Sequence, residues 1–411
     1  MPDRLKLLVL GAGNQRERAF HRWAADGLEV TLVDGFSYAR YDHLVEESLP
    51  EDVRDGARPD LAALCGLAAG YHGVTTLSDD CQITAAEVAE RLGLPGPGPD
   101  AARLARDKRR QREVAAEHGL PTAAHHASEV PREIAEFAAA RSGPCVVKPV
   151  GAGGSASVTR VTGADEALAA CETIRARGHG TFLVEEFLTG PEISYEAVVR
   201  GGQLVHSAVT EKEVVGDDCF LERRHLVTAP GRETPGSVAE RARREEVPAL
   251  AAGLVKAFGV ADAVIHLEVK LTGRGPVPVE MAVRPAGDCI PELVERTHGR
   301  DLYRELAALT TGREMPTGER TEEDATVAGV RFSLGTGRVT GYARPVDVLR
   351  GLGSVRIAVQ TGQVGRVYAE PAGNWDRIGH VLGWGPDRSV LERELDLAAD
   401  RQLTLTGLTG R

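Results

Sequence analysis

The first hundred residues constrain the fold most, because apolar runs of strand length alternate there with stretches of helical pattern. Residues 5–10 and 29–34 have the pattern of strands, and residues 16–26 between them have that of a helix. This alternation is typical of a parallel sheet covered by helices. The sequence therefore predicts an N-terminal Rossmann-like lobe that ends at the turn-rich segment of residues 93–99.

Beyond this segment the pattern changes to mixed α+β. A helix is predicted to start near Asp100 and to stop at Gly119, with His118 in its last turn. Strands and glycine-rich loops then alternate through residues 144–199, and a helical segment lies around residues 389–400. The fold class predicted for the whole chain is α/β and α+β.

Charge and composition exclude several classes of function. The formal net charge of -11 argues against a broad basic face for nucleic acid or an anionic membrane. Aromatic residues make up 4% of the chain, too few for a platform that stacks single-stranded bases. The six cysteines are scattered without a CxxC pair, and no apolar run approaches the ~20 residues of a membrane span. We therefore expect a cytoplasmic protein with reduced thiols.

A dinucleotide-binding fingerprint is present only in part. Gly11 and Gly13 follow the first strand, and Asp34 ends the second, where an acid would bind a ribose. The third glycine position is Arg16, so the helix cannot pack as closely as the fingerprint requires. An NAD-dependent oxidoreductase is therefore the weaker alternative to a strand-to-helix turn or a substrate-side loop.

The chain uses arginine in preference to lysine, with only six lysines among 49 basic residues. A lysine in a chain that otherwise uses arginine indicates a site that needs a compact ammonium charge. Lys148 lies in the strand-like run of residues 145–150, which is followed at once by the loop Gly151, Ala152, Gly153, Gly154 and Ser155. Backbone N–H groups of such a loop can approach phosphate oxygens, with Lys148 as their counter-charge. A flexible surface hairpin remains the alternative, and no P-loop sequence occurs.

Two further acids suit a nucleotide. Glu185 lies in the run VEEFL, which also contains Phe187 and Leu188, and Glu192 follows after a turn. An adenine needs an acceptor for its amino group and an apolar ledge, and a carboxylate one strand later can bind ribose hydroxyls. Glu185 and Glu192 fit these two roles, with a solvated acidic hairpin as the alternative.

The spacing of Glu268 and Glu280 is the feature of the sequence that says most about a metal site. If residues 264–271 and 277–283 pair as an antiparallel hairpin around Arg274, these glutamates stand directly opposite each other, about 5 Å apart. A divalent cation such as Mg²⁺ would remove their repulsion. Alternation places Arg284 on the same face, together with His266, whose expected role is structural. A polar solvent face is the alternative.

Taken in order, these motifs resemble the ATP-grasp superfamily, and within it the carboxylate-amine ligases such as bacterial L-amino acid ligases. The resemblance rests on DKxxxR at Lys108, Lys148 before GAGGS, EEFLTGPE, and HLE followed by ExAxRPAGD. It covers almost the whole chain. It implies an ATP-grasp fold with a Rossmann-like N-terminal domain at 1–98, a central lid subdomain at 99–185 and a C-terminal domain at 186–411. A glycine-rich β extension would begin at about residue 325.

The resemblance also implies roles for individual residues. ATP would be bound through its phosphates, adenine and ribose, and Mg²⁺ by Glu268 and Glu280. Arg284 and Gly287 would lie at an acyl phosphate. The segment around Glu222 and His225 resembles the ExxHxxxxP substrate loop of the family, which places His225 on the acceptor side. The residues assigned to ATP are Lys108, Lys148, Gly153, Gly154, Ser155, Glu185, Phe187, Leu188, Glu192 and Lys212, the last in a TEK sequence near the substrate loop.

One position departs from the pattern of many ATP-grasp enzymes, which have asparagine two residues after the second metal glutamate. Ala282 stands there, so the resemblance leaves the number of Mg²⁺ ions open.

The implied activity is ATP-dependent formation of an amide bond through an acyl phosphate, with small carboxylate and amine substrates, amino acids among them, and a possible homodimer. Residues 151–154 would form a lid that excludes water. One alternative has the same fold: a biotin-carboxylase-like or purine-pathway ligase that activates bicarbonate or formate. Another binds the same ligand: a nucleotide-binding regulator without turnover.

Overall fold

The N-terminal lobe is a parallel sheet flanked by helices, as predicted. The computed structural model describes residues 4–36, 38–151, 157–216, 220–244, 246–318, 325–369 and 373–410. The strands lie in the order β3-β2-β1-β4, all parallel. The lobe comprises β1 (Lys6–Leu10), α1 (Glu17–Ala25), β2 (Glu29–Val33), α2 (Tyr38–Tyr41), β3 (Glu47–Leu49), α3 (Leu61–Leu67), β4 (Gly73–Thr75) and α4 (Gln82–Arg91).

The single helix predicted from Asp100 to Gly119 is wrong, because the structure has two helices there, α5 (Pro99–Ala105) and α6 (Lys108–Glu117). One cause of the break is a local helix cap. The side chain of Asp107 accepts a hydrogen bond from the Arg110 backbone N–H at 2.9 Å, which caps the start of α6. As a result Lys108 is the first residue of a new helix.

A small antiparallel sheet follows, with strand order β5-β8-β6-β7. Its elements are β5 (His125–Ser128), α7 (Pro131–Ala139), β6 (Cys145–Pro149), β7 (Thr159–Val161), α8 (Ala164–Ala176) and β8 (Phe182–Glu186). Helices α7 and α8 cover this sheet and form a separate apolar core with it around Ile134, Cys171 and Phe182. The predicted loop residues Gly153, Gly154 and Ser155 lie outside the described residues.

The remaining elements build a large sheet and its covering helices. Between residues 192 and 311 they are β9 (Glu192–Arg200), β10 (Gln203–Val214), β11 (Glu222–Thr228), α9 (Val238–Arg244), α10 (Val247–Phe258), β12 (Ala263–Thr272), β13 (Gly275–Ala282), α11 (Ile290–His298) and α12 (Leu302–Thr311).

The C-terminal extension continues this sheet instead of forming a separate body. Its elements are β14 (Val327–Ser333), β15 (Gly335–Arg338), α13 (Pro345–Val348), β16 (Val355–Gln360), β17 (Val367–Tyr368), β18 (Gly379–Gly385), α14 (Arg388–Thr406) and β19 (Thr409–Gly410). The eight strands of the large sheet lie in the order β13-β12-β9-β10-β11-β14-β18-β16, with every neighbouring pair antiparallel. A three-stranded sheet, β17-β15-β19, lies beside it.

The N-terminal lobe and the large sheet share one apolar core. Phe20 and Trp23 of α1 belong to the same buried cluster as Val264 of β12 and Tyr303 of α12. The Trp23 Nε1–H also donates to the Tyr303 carbonyl at 2.8 Å. The two parts are therefore packed against each other, whereas the small sheet keeps its own core.

Helices α5 and α6 contribute Ala102 and Ala115 to a second core beneath the large sheet. The domain limits at residues 98 and 185 stay a prediction. Among the described residues, the helices are all too short or too polar to cross a lipid bilayer.

Candidate active site

A cleft of about 1900 Å³ is bordered by the N-terminal lobe, the small sheet and the large sheet. It is lined by every described residue that the sequence assigned to a site. These are Lys108, Lys148, Glu185, Phe187, Leu188, Glu192, Lys212, His225, Glu268, Glu280, Arg284 and Gly287.

The two predicted metal carboxylates stand opposite each other. Glu268 of β12 pairs with Glu280 of β13 in an antiparallel hairpin, which confirms the predicted register at this position. The register then shifts by one residue toward the turn, where Val269 pairs with Pro278. Proline has no N–H for the ladder, and β13 is an edge strand, so a bulge there costs little hydrogen bonding.

Each of these carboxylates has a lysine as its counter-ion. Lys108 Nζ lies 2.8 Å from Glu280 Oε1, and Lys212 Nζ lies 2.6 Å from Glu268 Oε1. Lys212 also pairs with Glu222 and lies 3.2 Å from Glu192 Oε1. Burial alone would lower the pKa of Lys212, but the three carboxylates outweigh it and raise that pKa well above its usual value.

Lys148 and Glu185 form a third pair, deep in the cleft. Both are more than nine-tenths buried, at 6% and 4% exposure. The second oxygen of Glu185 accepts a hydrogen bond from Arg112 Nε at 2.5 Å. Burial favours the neutral carboxyl group, yet Arg112 and Lys148 lower the pKa of Glu185 to about 2. Both oxygens of Glu185 are thus already bonded, and the carboxylate orients Lys148.

His266 supports Glu268 from the same strand, as a structural partner would. Its Nδ1 lies 3.0 Å from both oxygens of Glu196, and its Nε2 lies 3.4 Å from Glu268 Oε1. Burial opposes the imidazolium, but Glu196 and Glu268 outweigh it and raise the pKa of His266 to about 10. Lys212 and His266 together hold the pKa of Glu268 well below its usual range, against the effect of burial.

Arg284 is held by a residue of the N-terminal lobe. Its Nε and one terminal nitrogen bind the two oxygens of Asp79 at 2.7 and 2.5 Å. Burial would raise the pKa of Asp79, but the Arg284 guanidinium lowers it below the usual range. Asp79 follows β4 at the carboxyl edge of the parallel sheet, the edge where such sheets bind ligands. The position of Asp79 after a predicted parallel strand is the sequence signal that could have indicated it.

His225 lies in a second polar cluster on the wall of the cleft. Its Nε2 is 3.4 Å from Asp288 Oδ2 and 3.9 Å from Glu222 Oε2. Arg377 connects the two acids, at 2.8 Å from Asp288 and 2.9 Å from Glu222. Asp288 and Cys289 have φ values of 57° and 61°, a strained conformation for residues with side chains.

The partial dinucleotide fingerprint has a structural explanation. One oxygen of Asp34 accepts the Ala12 N–H at 2.8 Å, and the other accepts the Phe36 N–H at 2.8 Å. Arg16, at the third glycine position, donates to the Ala286 carbonyl at 2.5 Å. These groups fix the strand-to-helix turn and join it to the loop after Arg284.

Two family models match the chain. The ATP-grasp N-terminal domain matches residues 20–96, and the ATP-grasp domain matches residues 141–292. The chain belongs to the ATP-grasp family. The second match contains Lys148, Glu185, Glu268, Glu280 and Arg284.

Relatives of this ATP-grasp chain match most of its length. The uncharacterized protein y4rH of Sinorhizobium fredii is 25% identical over 380 residues, which are 88% of this chain and 75% of that protein. Carnosine synthase 1 of Homo sapiens is 26% identical over 345 residues, which are 77% of this chain but 41% of that protein. The chain thus spans about two fifths of the length of the carnosine synthase.

A solved structure shows the same ATP-grasp fold. The L-amino acid ligase from Bacillus licheniformis superposes with a TM-score of 0.78, over 97% of this chain and 98% of that chain, at 20% identity. The predicted fold is confirmed.

Several residues of the cleft were missed by sequence reasoning, for two reasons. Arg112 is four residues after Lys108 on the same helical face, so the DKxxxR spacing could have indicated it. Asp288 lies just before α11 and Arg377 just before β18, far apart in the sequence, and their side chains meet only in the folded chain, at 2.8 Å. No local pattern could have joined them.

Proposed function

We propose that this ATP-grasp protein is an ATP-dependent carboxylate-amine ligase that forms an amide bond through an acyl phosphate, with an amino acid among its substrates. The observation that carries the proposal is the pair Glu268 and Glu280, set side by side in one cleft with Lys108, Lys148 and Arg284. Family membership and the likeness to the L-amino acid ligase fold support it.

Glu268 and Glu280 suit Mg²⁺ by the chemistry of their donors. Both offer carboxylate oxygens, the ligands that this hard cation prefers together with phosphate oxygens. Lys108 and Lys212 neutralise the two acids and could turn toward phosphate oxygens when a cation takes their place. Bound Mg²⁺ would supply positive charge that offsets the negative charge of the transferred phosphoryl group.

The nucleotide half of the cleft would lie between the small and the large sheet. Phe187 and Leu188 follow β8 and line the cleft, where they offer an apolar ledge for an adenine. Glu192, at the start of β9, lines the same cleft and would bind the ribose hydroxyls. Lys108 and Lys148 would contact the phosphates, with Lys148 oriented by Glu185.

The reaction needs two consecutive steps. A carboxylate oxygen of the donor attacks the γ-phosphorus, the bond to the β-phosphate oxygen breaks and ADP leaves. The amine of the acceptor then attacks the acyl carbon, loses a proton, and inorganic phosphate leaves. Arg284, held by Asp79, would stabilise the negative charge that develops on the acyl oxygen in the second step.

The acyl phosphate must be protected from water, which would hydrolyse it. The small sheet borders the cleft and has its own core, so it is the part suited to move as a lid. The predicted lid loop at residues 151–154 falls largely outside the described residues. Its role remains part of the proposal, as do a cytoplasmic location and a homodimer.

The test is a screen of the purified chain with ATP, Mg²⁺ and pairs of amino acids, with ADP and phosphate measured and products identified by mass spectrometry. We expect one amide and one ADP per turnover for a subset of pairs. Glu280→Gln should lose most of this activity. Glu136→Gln, a change of the same kind at an exposed residue, should keep it.

Two results would refute the proposal: an amide formed without ATP consumption, or full activity in Glu280→Gln. ADP release that depends on bicarbonate and needs no amino acid would indicate the carboxylating alternative instead.

A further inference from the structure

Beyond the lysine–glutamate pairs, the cleft has a wall built partly by the C-terminal extension. Asn374 and Arg377 come from the segment before β18 and line the cleft together with Glu222, His225 and Asp288. Neither Asn374 nor Arg377 belongs to the residues predicted from the sequence, and both lie beyond the matched ATP-grasp domain.

Arg377 is fixed in one orientation. Its terminal nitrogens pair with Asp288 and Glu222, and its guanidinium carbon lies 3.5 Å from the centroid of the Phe332 ring. The side chain is 9% exposed. Two ion pairs and a stacked ring leave little freedom, so the remaining N–H groups point in fixed directions.

Three polar atoms of this cluster are buried without a hydrogen-bond partner in the described part of the chain. They are Arg377 Nε, His225 Nδ1 and Asn374 Oδ1. His225 is fully buried. Buried polar atoms in folded proteins are almost always bonded to protein, water or a ligand, so three such atoms at one wall of a cleft mark a place suited to a polar small molecule.

The chemistry of these atoms selects the kind of ligand. Arg377 Nε can only donate, and Asn374 Oδ1 can only accept, while His225 Nδ1 can do either. A molecule that satisfies them therefore has an acceptor and a donor close together. Arg377 pairs with both Glu222 and Asp288, and Glu222 shares Lys212 with Glu268, so a ligand without net charge fits this cluster without adding an unpaired charge. An α-amino acid zwitterion meets both conditions.

A metal ion fits this cluster less well. Glu222, His225 and Asp288 have ligand atoms within 4.8 Å of one another. However, Arg377 already pairs with both carboxylates, and its fixed positive charge would repel a second cation.

We propose that Asn374 and Arg377 form the subsite for the acceptor amino acid, in which Arg377 binds the α-carboxylate and Asn374 Oδ1 accepts a hydrogen bond from the amino group. Asp288 directly follows Gly287, the residue predicted to lie at the acyl phosphate, so an acceptor bound here would lie beside the reacting carbon. The inference rests on the proposed ligase function.

The test separates the two half-reactions. Hydroxylamine replaces the amine, so the donor amino acid, ATP and Mg²⁺ yield a hydroxamate without use of the acceptor subsite. Amide formation is then measured with the best acceptor amino acid from the screen and with its C-terminal amide, which lacks the carboxylate. The variants are Arg377→Lys and Asn374→Ala, with Arg350→Lys as a control at an exposed position of the same extension.

The wild type should prefer the amino acid over its amide by about 10- to 100-fold in kcat/KM, the usual range for a hydrogen bond to a charged group. Arg377→Lys should reduce this preference to about threefold or less and leave hydroxamate formation within about twofold. Arg350→Lys should change neither quantity. Asn374→Ala should raise the KM of the acceptor about 10-fold with the same unchanged hydroxamate rate.

Asn374→Ala decides the question if Arg377→Lys does not fold. Unchanged acceptor preference and KM in the folded variants, with normal hydroxamate formation, would overturn the subsite alone. That result would mean that Arg377 only anchors the segment before β18 to the large sheet and does not bind the acceptor. No hydroxamate and no amide from the wild type with any amino acid would overturn the ligase function and the subsite together.

Discussion

At the scale of single residues, the cleft is organised by ion pairs between its lysines and its acids. Lys108, Lys148 and Lys212 contact Glu280, Glu185 and Glu268 in turn. The shortage of lysine in the sequence thus marked positions that converge in space. The sequence could not indicate their partners, because each pair joins residues more than 30 positions apart.

Lys148→Arg should lose most ATP-dependent turnover, at least about 10-fold, although the charge is kept. Lys148 is 6% exposed, and Arg112 already occupies the other side of Glu185, so a second planar guanidinium has no room. The measurements are kcat and the ATP dissociation constant of the variant and of the wild type. Lys256→Arg at an exposed position is the matched control, and near-normal turnover in Lys148→Arg would contradict the role.

Asp79→Asn should lower kcat by about 10- to 100-fold and leave the ATP dissociation constant almost unchanged. The amide keeps the size of the side chain but removes the charge that orients Arg284 in the bidentate pair. Asp80→Asn serves as the control, since Asp80 is 60% exposed and pairs with Arg106 instead. An equal loss in both variants would argue against a specific role of Asp79.

At the scale of elements, the β12–β13 hairpin was predictable and the break before α6 was not. Alternation, a local property of the sequence, predicted the hairpin and the shared face of Glu268 and Glu280. The pairing next to the turn is one residue out of the predicted register, and the bulge between Glu268 and Val269 brings Glu268 opposite Glu280. The helix break depends on the Asp107 cap and on the bond from the Lys108 N–H to the Val150 carbonyl, at 3.3 Å. A tertiary contact of this kind overrides helix propensity.

Asp107→Ala should destabilise the fold by about 1 kcal/mol, the usual effect of losing an N-cap. It should also weaken ATP binding, because the first turn of α6 places Lys108 beside Glu280. Urea unfolding and ATP titration measure the two effects. Asp107→Ser, which can still cap the helix, should restore both; failure of serine to restore ATP binding would contradict the link between the cap and Lys108.

At the scale of the whole molecule, two packing units meet at one cleft. The N-terminal lobe and the large sheet share a core, and the small sheet has its own. The order of the motifs was enough to predict the ATP-grasp fold. The wall formed by Asp288 and Arg377 was not predictable, because it depends on how the C-terminal strands extend the sheet.

The central claim, activation of a carboxylate by phosphorylation, has a direct measurement. Once the screen has identified a substrate pair, the donor is supplied with ¹⁸O in its carboxylate, and the phosphate released is analysed by mass spectrometry. If the carboxylate attacks the γ-phosphorus, one labelled oxygen must end in each phosphate. Phosphate without the label, formed together with the amide, would contradict the acyl-phosphate mechanism.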